Sequence, residues 1–362
     1  MSAPRSPGRS AIMAQTLTSL AALSQLPFDD IIDVRSPSEY AEDHVPGAIN
    51  LPVLSDGERA HVGTIYVQQD RFLARKIGAA LVARNAARHL EGPLSDREGG
   101  WRPLLYCWRG GQRSGSFAAI LGQIGWRVDL IDGGYKSYRK LVVDALYRQP
   151  LHLSPVLIDG GTGTAKTRLL HHLARAGEQV LDLEGMAEHR GSVLGGMATE
   201  QPSQKAFESR LAMPIARLDP ARPVFIEAES NKIGDLLIPP SLWAAMLSAP
   251  RIRVEAPLDA RAAFLTRTYG ELLADSARLS ARLAGLIPYH GRECVAEWQE
   301  MAREGRFAPL ATALITRHYD PRYAKSANRA TPPVAVLPLP DLHETTLAGV
   351  VPRLVELARH HA

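Results

Sequence analysis

The chain has 362 residues, 45% of them hydrophobic and 22% charged, which excludes a disordered or fibrous protein and predicts two domains. Its 2 cysteines, Cys107 and Cys294, are too few for a disulfide framework and suit a reducing, cytoplasmic setting. No run approaches the ~18 apolar residues needed to cross a bilayer, so no membrane is expected, and a net charge of +4 is only a mild sign of a nucleic-acid partner.

Residues 1–17 read as a small basic disordered tail, and 18–149 as a first domain. Asp29–Arg35 reads as a strand entering a helix start at Ser36-Pro37-Ser38-Glu39-Tyr40, and His44–Pro52 as a turn with a short strand. Asp33, Arg35 and His44 are assigned to loop stabilisation rather than chemistry. Between Arg71 and Arg113 stand nine Lys or Arg against three Asp or Glu. Spread along a helix they form a solvated face; gathered on one face they form the phosphate-contacting surface that RNA needs.

Leu104-Leu105-Tyr106 reads as a buried strand stopping at Cys107. A turn follows, Trp108-Arg109-Gly110-Gly111-Gln112-Arg113, and a helix starting with Ser114 as its cap. A cysteine there meets turn amides and the positive end of a helix dipole, both of which favour thiolate, and Arg109 and Arg113 add full charges. The amides of Trp108, Gly110, Gly111, Gln112 and Ser114 would form an anion cradle. The alternative is a small core residue at a strand end. The five residues enclosed by Cys107 and Arg113 favour chemistry, because this is the C-x5-R spacing of cysteine phosphatases and enlarged rhodanese loops. Trp126–Tyr135 supplies another strand and turn, and Lys136–Arg148 a closing helix.

The second domain is predicted over 150–362. Val156–Asp159 is a strand, followed by Gly160-Gly161-Thr162-Gly163-Thr164-Ala165-Lys166-Thr167 and a helix, the context a P-loop requires. Its amides would surround a phosphate, Lys166 would add charge, and the Thr167 hydroxyl would reach a magnesium ion. Ala165 replaces the expected glycine, which is tolerable if its φ stays negative. Asp182, Glu184 and Glu227 stand at strand ends and compete as the acid of this site, and His189 and Arg190 are available for an anion. Residues 258–320 read as mainly helical, with Arg261, Arg267, Arg278, Arg282 and Arg292 as candidate RNA contacts. An edge strand near Val334–Pro338 and a terminal helix close the chain. Cys294 has no His or Cys at metal spacing, and no metal site is assigned. Alternating strands and helices predict an α/β protein with parallel sheets in both domains.

Tyr106–Ser114 resembles the active loop of the rhodanese-like domain in the tRNA 2-selenouridine synthase family. Asp33-Val34-Arg35-x-x-x-Glu39 and His44-x-Pro46-Gly47-Ala48-x-Asn50 resemble the upstream rhodanese signatures, and residues 57–69 resemble an insertion of that family. The resemblance runs over roughly residues 20–330 and includes His318–Tyr323. It implies an N-terminal rhodanese-like domain and a P-loop NTPase-like domain with helical additions. It also implies replacement of sulfur by selenium at wobble 2-thiouridine of tRNA, with selenophosphate as donor, a perselenide on Cys107 and an S-geranyl intermediate made from geranyl diphosphate. The diphosphate is expected at the P-loop, no cofactor is tightly bound, and the partners are tRNA and an enzyme supplying selenophosphate. A C-x5-R phosphatase or plain sulfurtransferase joined to a kinase-like module is the alternative, and a tRNA-binding regulator without activity is a third.

Overall fold

The computed structural model describes residues 12–23, 25–192, 194–196, 199–327 and 331–361. The chain forms two compact units. Residues 1–148 and 203–217 make the first, and residues 149–202 and 218–362 the second.

The first unit is built on a parallel sheet of β1 (Ala14–Gln15), β2 (Asp30–Asp33), β3 (Ile49–Asn50), β4 (Pro103–Tyr106) and β5 (Asp129–Ile131), in the order β1-β5-β4-β2-β3. Strand β1 corrects the tail assignment for residues 14–15; residues 1–11 of the tail lie outside the described residues. β4 is central and wholly buried. Its side chains alternate between faces, as the two-residue period demands. Leu105 and Cys107 join a core with Ile32, Val34 and Phe117, while Leu104 and Tyr106 join one with Ile131, Tyr135 and Tyr138.

That second core also takes in Ala212 and Met213. They belong to the helix Gln204–Ile215, whose sequence position predicts the second domain. Apolar periodicity marks a helix with a face to bury but not which core receives it. Here Glu208 decides: it pairs with Arg139 and accepts from the Tyr147 hydroxyl at 2.5 Å, both first-unit residues. Residues 57–69 form most of the helix Asp56–Gln68, which packs as a hairpin against Arg71–Glu91.

The second unit repeats the plan. β6 (Ser154–Asp159), β7 (Gln179–Leu181), β8 (Pro223–Glu227), β11 (Arg251–Glu255) and β12 (Ala335–Pro338) run parallel in the order β12-β11-β6-β8-β7, and β9 (Lys232–Ile233) pairs with β10 (Leu236–Leu237) in a small hairpin. β6 is central. The helices Lys166–Arg175 and Glu344–His361 bury Leu169, Leu173, Leu347 and Leu354 against the sheet. Helices between Leu258 and Ala327 gather their own core around Leu279, Leu283, Val295, Trp298 and Leu310.

Candidate active site: two anion cradles

In each unit the central strand ends in a loop that turns into a helix. Parallel sheets place such loops at the carboxyl ends of their strands, where helix N-termini add positive potential.

In the first unit the loop carries Cys107. Gly110 has φ 65° and Gly134 φ 60°, and a Cβ on Gly134 would overlap the Cys107 carbonyl oxygen and the Gly110 nitrogen. Only glycine permits that approach. It lets the Tyr135 amide donate to the Cys107 carbonyl at 2.8 Å and the Lys136 amide to the Trp108 carbonyl at 3.2 Å. With those carbonyls engaged by the neighbouring helix Gly134–Val143, loop amides are left for the sulfur. Gly111 N and Ser114 Oγ each donate to Cys107 Sγ at 3.2 Å. Burial pushes the Cys107 thiol up. The Ser114 hydroxyl, the Ser114 and Arg109 amides and the Arg113 charge outweigh it and hold the pKa below the ordinary thiol value.

Several roles differ from the sequence expectation. The helix is Gln112–Ile124 with Gly111 as its cap, so Ser114 lies in the first turn, where its hydroxyl serves the sulfur instead. Trp108 brings backbone to the loop, while its indole packs with Tyr135 at 5.2 Å against the core. The Arg113 fork donates to Glu39 at 2.7 and 3.3 Å, so it acts on Cys107 through its field. Burial alone would raise the Glu39 pKa, but Arg113, the Ser36 amide and Arg59 keep it below the carboxylate range. Arg109, Gly111 and Gln112 are exposed. Asp33 and Arg35 form a buried pair at 2.7 Å, and His44 Nδ1 meets the Tyr40 carbonyl at 2.8 Å, contacts that support the loop from outside. Beside the loop, Tyr66, Arg75 and Val82 of the helical hairpin face Gln112, Arg113 and Ser116 across a groove of about 300 Å³. Val67 and Phe72 at the hairpin tip stand 82% and 71% exposed, with Arg71 over the Tyr66 ring.

In the second unit, Gly160 and residues 162–167 border a chamber of about 640 Å³. Ala165 has φ 62°, contrary to the negative value expected. Its methyl packs in the core with Leu169 and Leu170, so it does not crowd the cradle. Lys166 Nζ donates to the Gly160 carbonyl at 3.0 Å, and Thr167 Oγ1 to Glu184 at 2.9 Å. The three competing acids separate. Asp182 caps the short helix Leu183–Ala187 and meets His171 Nε2 at 2.9 Å. Glu227 is fully buried, accepts from the Glu184 amide at 2.7 Å and leaves its other oxygen unpartnered; burial, with Asp182 and Glu184 nearby, raises its pKa well above the usual range. Glu184 alone of the three reaches Thr167. It shares a hydrogen bond with Glu229, which was not assigned from sequence, and burial plus that neighbour raises the Glu184 pKa. Glu229 stands two residues beyond Glu227, past the end of β8, so strand periodicity gave it no role.

Arg190 borders the chamber, stacked over Tyr269 at 4.8 Å, whereas His189 faces a separate groove with Arg278 and Arg282. Burial and Arg282 lower the His189 pKa. Arg261 is committed to the loop rather than free for RNA: it holds Asp320 at 2.6 Å and the Thr162 carbonyl at 2.8 Å. Arg267 donates to the Leu342 carbonyl at 3.3 Å, Arg278 to that of Gly196 at 3.3 Å, and Arg292 is exposed. The segment His318–Tyr323 forms a wall: His318, Tyr319, Arg322 and Tyr323 all border the chamber. Cys294 lies 3.7 Å from Arg317, and the described residues contain no cluster of three metal-ligating side chains. No helix among them is long and apolar enough to cross a membrane.

The chain is similar to known proteins along most of its length. Residues 16–141 match the Rhodanese-like domain, and residues 153–290 the family described as the tRNA 2-selenouridine synthase AAA domain. A tRNA 2-selenouridine synthase of Nitrosomonas europaea is 39% identical over 235 residues, covering 64% of this chain and 61% of that protein, under two thirds of its length. One from Psychromonas ingrahamii is 35% identical over 251 residues, 69% of this chain and 67% of its own. One from Aeromonas salmonicida is 32% identical over 332 residues, 83% of this chain and 88% of its own. With relatives 35% and 32% identical over two thirds or more of both chains, the chain belongs to the tRNA 2-selenouridine synthase family.

Proposed function

We propose that the protein is a transferase converting wobble 2-thiouridine of tRNA to 2-selenouridine, with selenophosphate as donor and S-geranyl-2-thiouridine, made from geranyl diphosphate, as intermediate. The observations that carry the reading are a thiol with a lowered pKa, met by the Gly111 amide and the Ser114 hydroxyl, after one central strand, and a glycine-rich loop with Lys166 and Thr167 bordering a chamber after the other.

In the first step the 2-thiouridine sulfur attacks C1 of the geranyl chain and the C–O bond breaks. Diphosphate leaves onto the Gly160–Thr167 amides and Lys166, preorganised donors of the kind that stabilise departing charge. Thr167 and Glu184 are suited to hold a magnesium ion, which would balance the diphosphate charge when bound.

The second step belongs to Cys107. Selenium in selenophosphate is already at the selenide level, so a perselenide formed with release of orthophosphate would need a two-electron oxidant. A redox-neutral course needs none. The Cys107 thiolate attacks phosphorus, the P–Se bond breaks, and S-phosphocysteine and HSe⁻ form from singly protonated selenophosphate. HSe⁻ adds to C2 of the S-geranyl uridine and expels geranylthiol; water then hydrolyses the phosphocysteine and restores the thiol. A leaving group stable as an anion needs no general acid, in keeping with Glu39 being tied to Arg113. Exposed Arg109 is placed to meet the incoming anion, and the groove beside Gln112 and Arg113, with the aromatic and basic hairpin tip, suits an unstacked nucleotide.

Mass spectrometry of nucleosides from thiolated tRNA tests this. Selenouridine should form only when selenophosphate and geranyl diphosphate are both supplied. Release of phosphate from phosphate esters with no change in tRNA, or turnover that requires ATP, would favour the phosphatase or kinase-like alternative.

A further inference from the structure

The segment His318–Tyr323, which walls the second unit's chamber, begins with a histidine only 1% exposed. His318 lies in the wide π-helical turn Ile315–Tyr319, a distortion that recurs at functional sites. Its Nδ1 stands 2.8 Å from His290 Nε2, which leaves the His318 Nε2 as the ring nitrogen without a partner among the described residues. Edge contacts hold both rings: Tyr319 meets His318 at 4.9 Å, and Trp298 meets His290 at 4.9 Å.

The charged and titratable groups around His318 are Arg322, His290, Tyr289 and Tyr319, while Asp320, two residues on, is held by Arg261. Burial, then Arg322 and His290, lower the His318 pKa to about 4. At neutral pH it is an uncharged imidazole in a chamber that Lys166, Arg190 and Arg322 also line. Other proton acceptors there are engaged. Glu184 meets Thr167 and Glu229, and Asp182 meets His171, a half-exposed histidine that spends its Nε2 on that contact.

Prenyl transfer to 2-thiouridine has a proton to lose. As sulfur attacks C1 and diphosphate leaves with the C–O electron pair, C2=S becomes C2–S, N3=C2 forms, and N3–H gives up its proton. Alkylation at sulfur makes that N–H strongly acidic, so a weak base suffices and releases the proton again readily. Phe264, Tyr269, Tyr319 and Tyr323 border the same chamber and offer a flat base stacking surfaces.

We propose that His318 Nε2 takes the N3 proton during prenyl transfer and that His290 is its relay. The His318 Nδ1 proton shifts to His290 Nε2, so the positive charge leaves the chamber wall for His290, which releases a proton to water. The inference rests on the prenyl-transfer reading above and adds to it the base and the proton's way out.

The test is steady-state geranylation of thiolated tRNA by the full-length protein with geranyl diphosphate. His318→Ala should slow it about a hundredfold, as expected for a lost positioned base, without weakening geranyl diphosphate binding. Added imidazole should restore much of that rate and do nothing for the wild type, a gain that misfolding does not mimic. His290→Gln can keep a hydrogen bond to His318 but relays no proton, so it should lower kcat with KM unchanged. Arg322→Gln removes a charge that lowers the His318 pKa, so the acidic limb of the geranylation profile should move to higher pH. A wild-type rate in His318→Ala, or a loss that imidazole does not relieve, would overturn the base and leave the transfer reading standing. A wild type that binds ATP and forms no S-geranyl product would overturn both.

Discussion

The loops after β4 and β6 share one backbone plan but differ in what they surround. Both follow the central strand of a five-stranded parallel sheet and feed a helix N-terminus. In the first, the converging hydrogen bonds point at a protein atom, the Cys107 sulfur, and lower its pKa. The second borders open space that Lys166, Glu184 and Glu229 also line. On the proposed function, one loop would activate a nucleophile and the other would receive a leaving group. The backbone supplies the field in both, and the side chain at the loop's base decides which chemistry it serves.

The largest effect that would sharpen this contrast is Cys107→Ser. We expect selenation to fall by more than about a thousandfold, as for other lost nucleophiles, while geranylation and tRNA binding persist. Loss of both activities in a folded variant would break the division of labour.

Lys166→Ala should act in the opposite sense. Geranylation should drop about a hundredfold, typical of one lost donor to developing charge. Pre-geranylated tRNA supplied to the same variant should still be selenated. Normal geranylation kinetics would remove the β6 loop from the reaction.

Ser114→Ala removes one hydrogen bond to the thiolate and so raises the Cys107 pKa. The acidic limb of the selenation pH profile should move to higher pH, with about a tenfold loss at neutral pH. A profile that stays in place would make Ser114 a packing residue.

In the second unit the sign reverses. Burial raises the Glu184 and Glu229 pKa values, and the Glu229 charge raises that of Glu184 further, so the folded state binds protons more tightly than the unfolded one. The pair's contribution to stability is present below the ordinary carboxylate pKa of about 4.5 and is lost as pH rises through the raised folded values. Melting temperatures of the protein without ligand should fall across that window, and Glu184→Gln should flatten the fall.

Ala165→Gly should matter least. It relieves a left-handed alanine, worth about 1 kcal/mol, and gives up one buried methyl, worth about 0.8 kcal/mol. Chemical denaturation should show a change of less than about 1 kcal/mol. A larger loss would mean that the methyl, not the loop conformation, organises this corner.

Local patterns carried a good deal of this in the chain itself. The apolar run ending at Cys107 and the run ending at the Gly160 loop are each marked as strand–loop–helix by neighbouring residues alone, and both were found where expected. Failures cluster where a side chain had a choice of partners. Arg113 reads as a free charge beside Cys107 until Glu39, 74 positions away, takes its guanidinium. Arg261 reads as an RNA contact until Asp320 and Thr162 do. Ala165 was expected at negative φ because an alanine's conformational preference is local, yet the core that receives its methyl is not.

The sequence by itself therefore determined the two sheets' central strands and the strand–loop–helix turns at Cys107 and Gly160–Thr167, since periodicity, glycine spacing and helix starts are short-range properties. Tertiary structure decided which acid of three meets Thr167, which unit receives the helix Gln204–Ile215, and that His290 meets His318. Those outcomes depend on side chains brought together from separate elements, 17 positions apart for Thr167 and Glu184 and 61 for Tyr147 and Glu208, and no local pattern encodes such meetings.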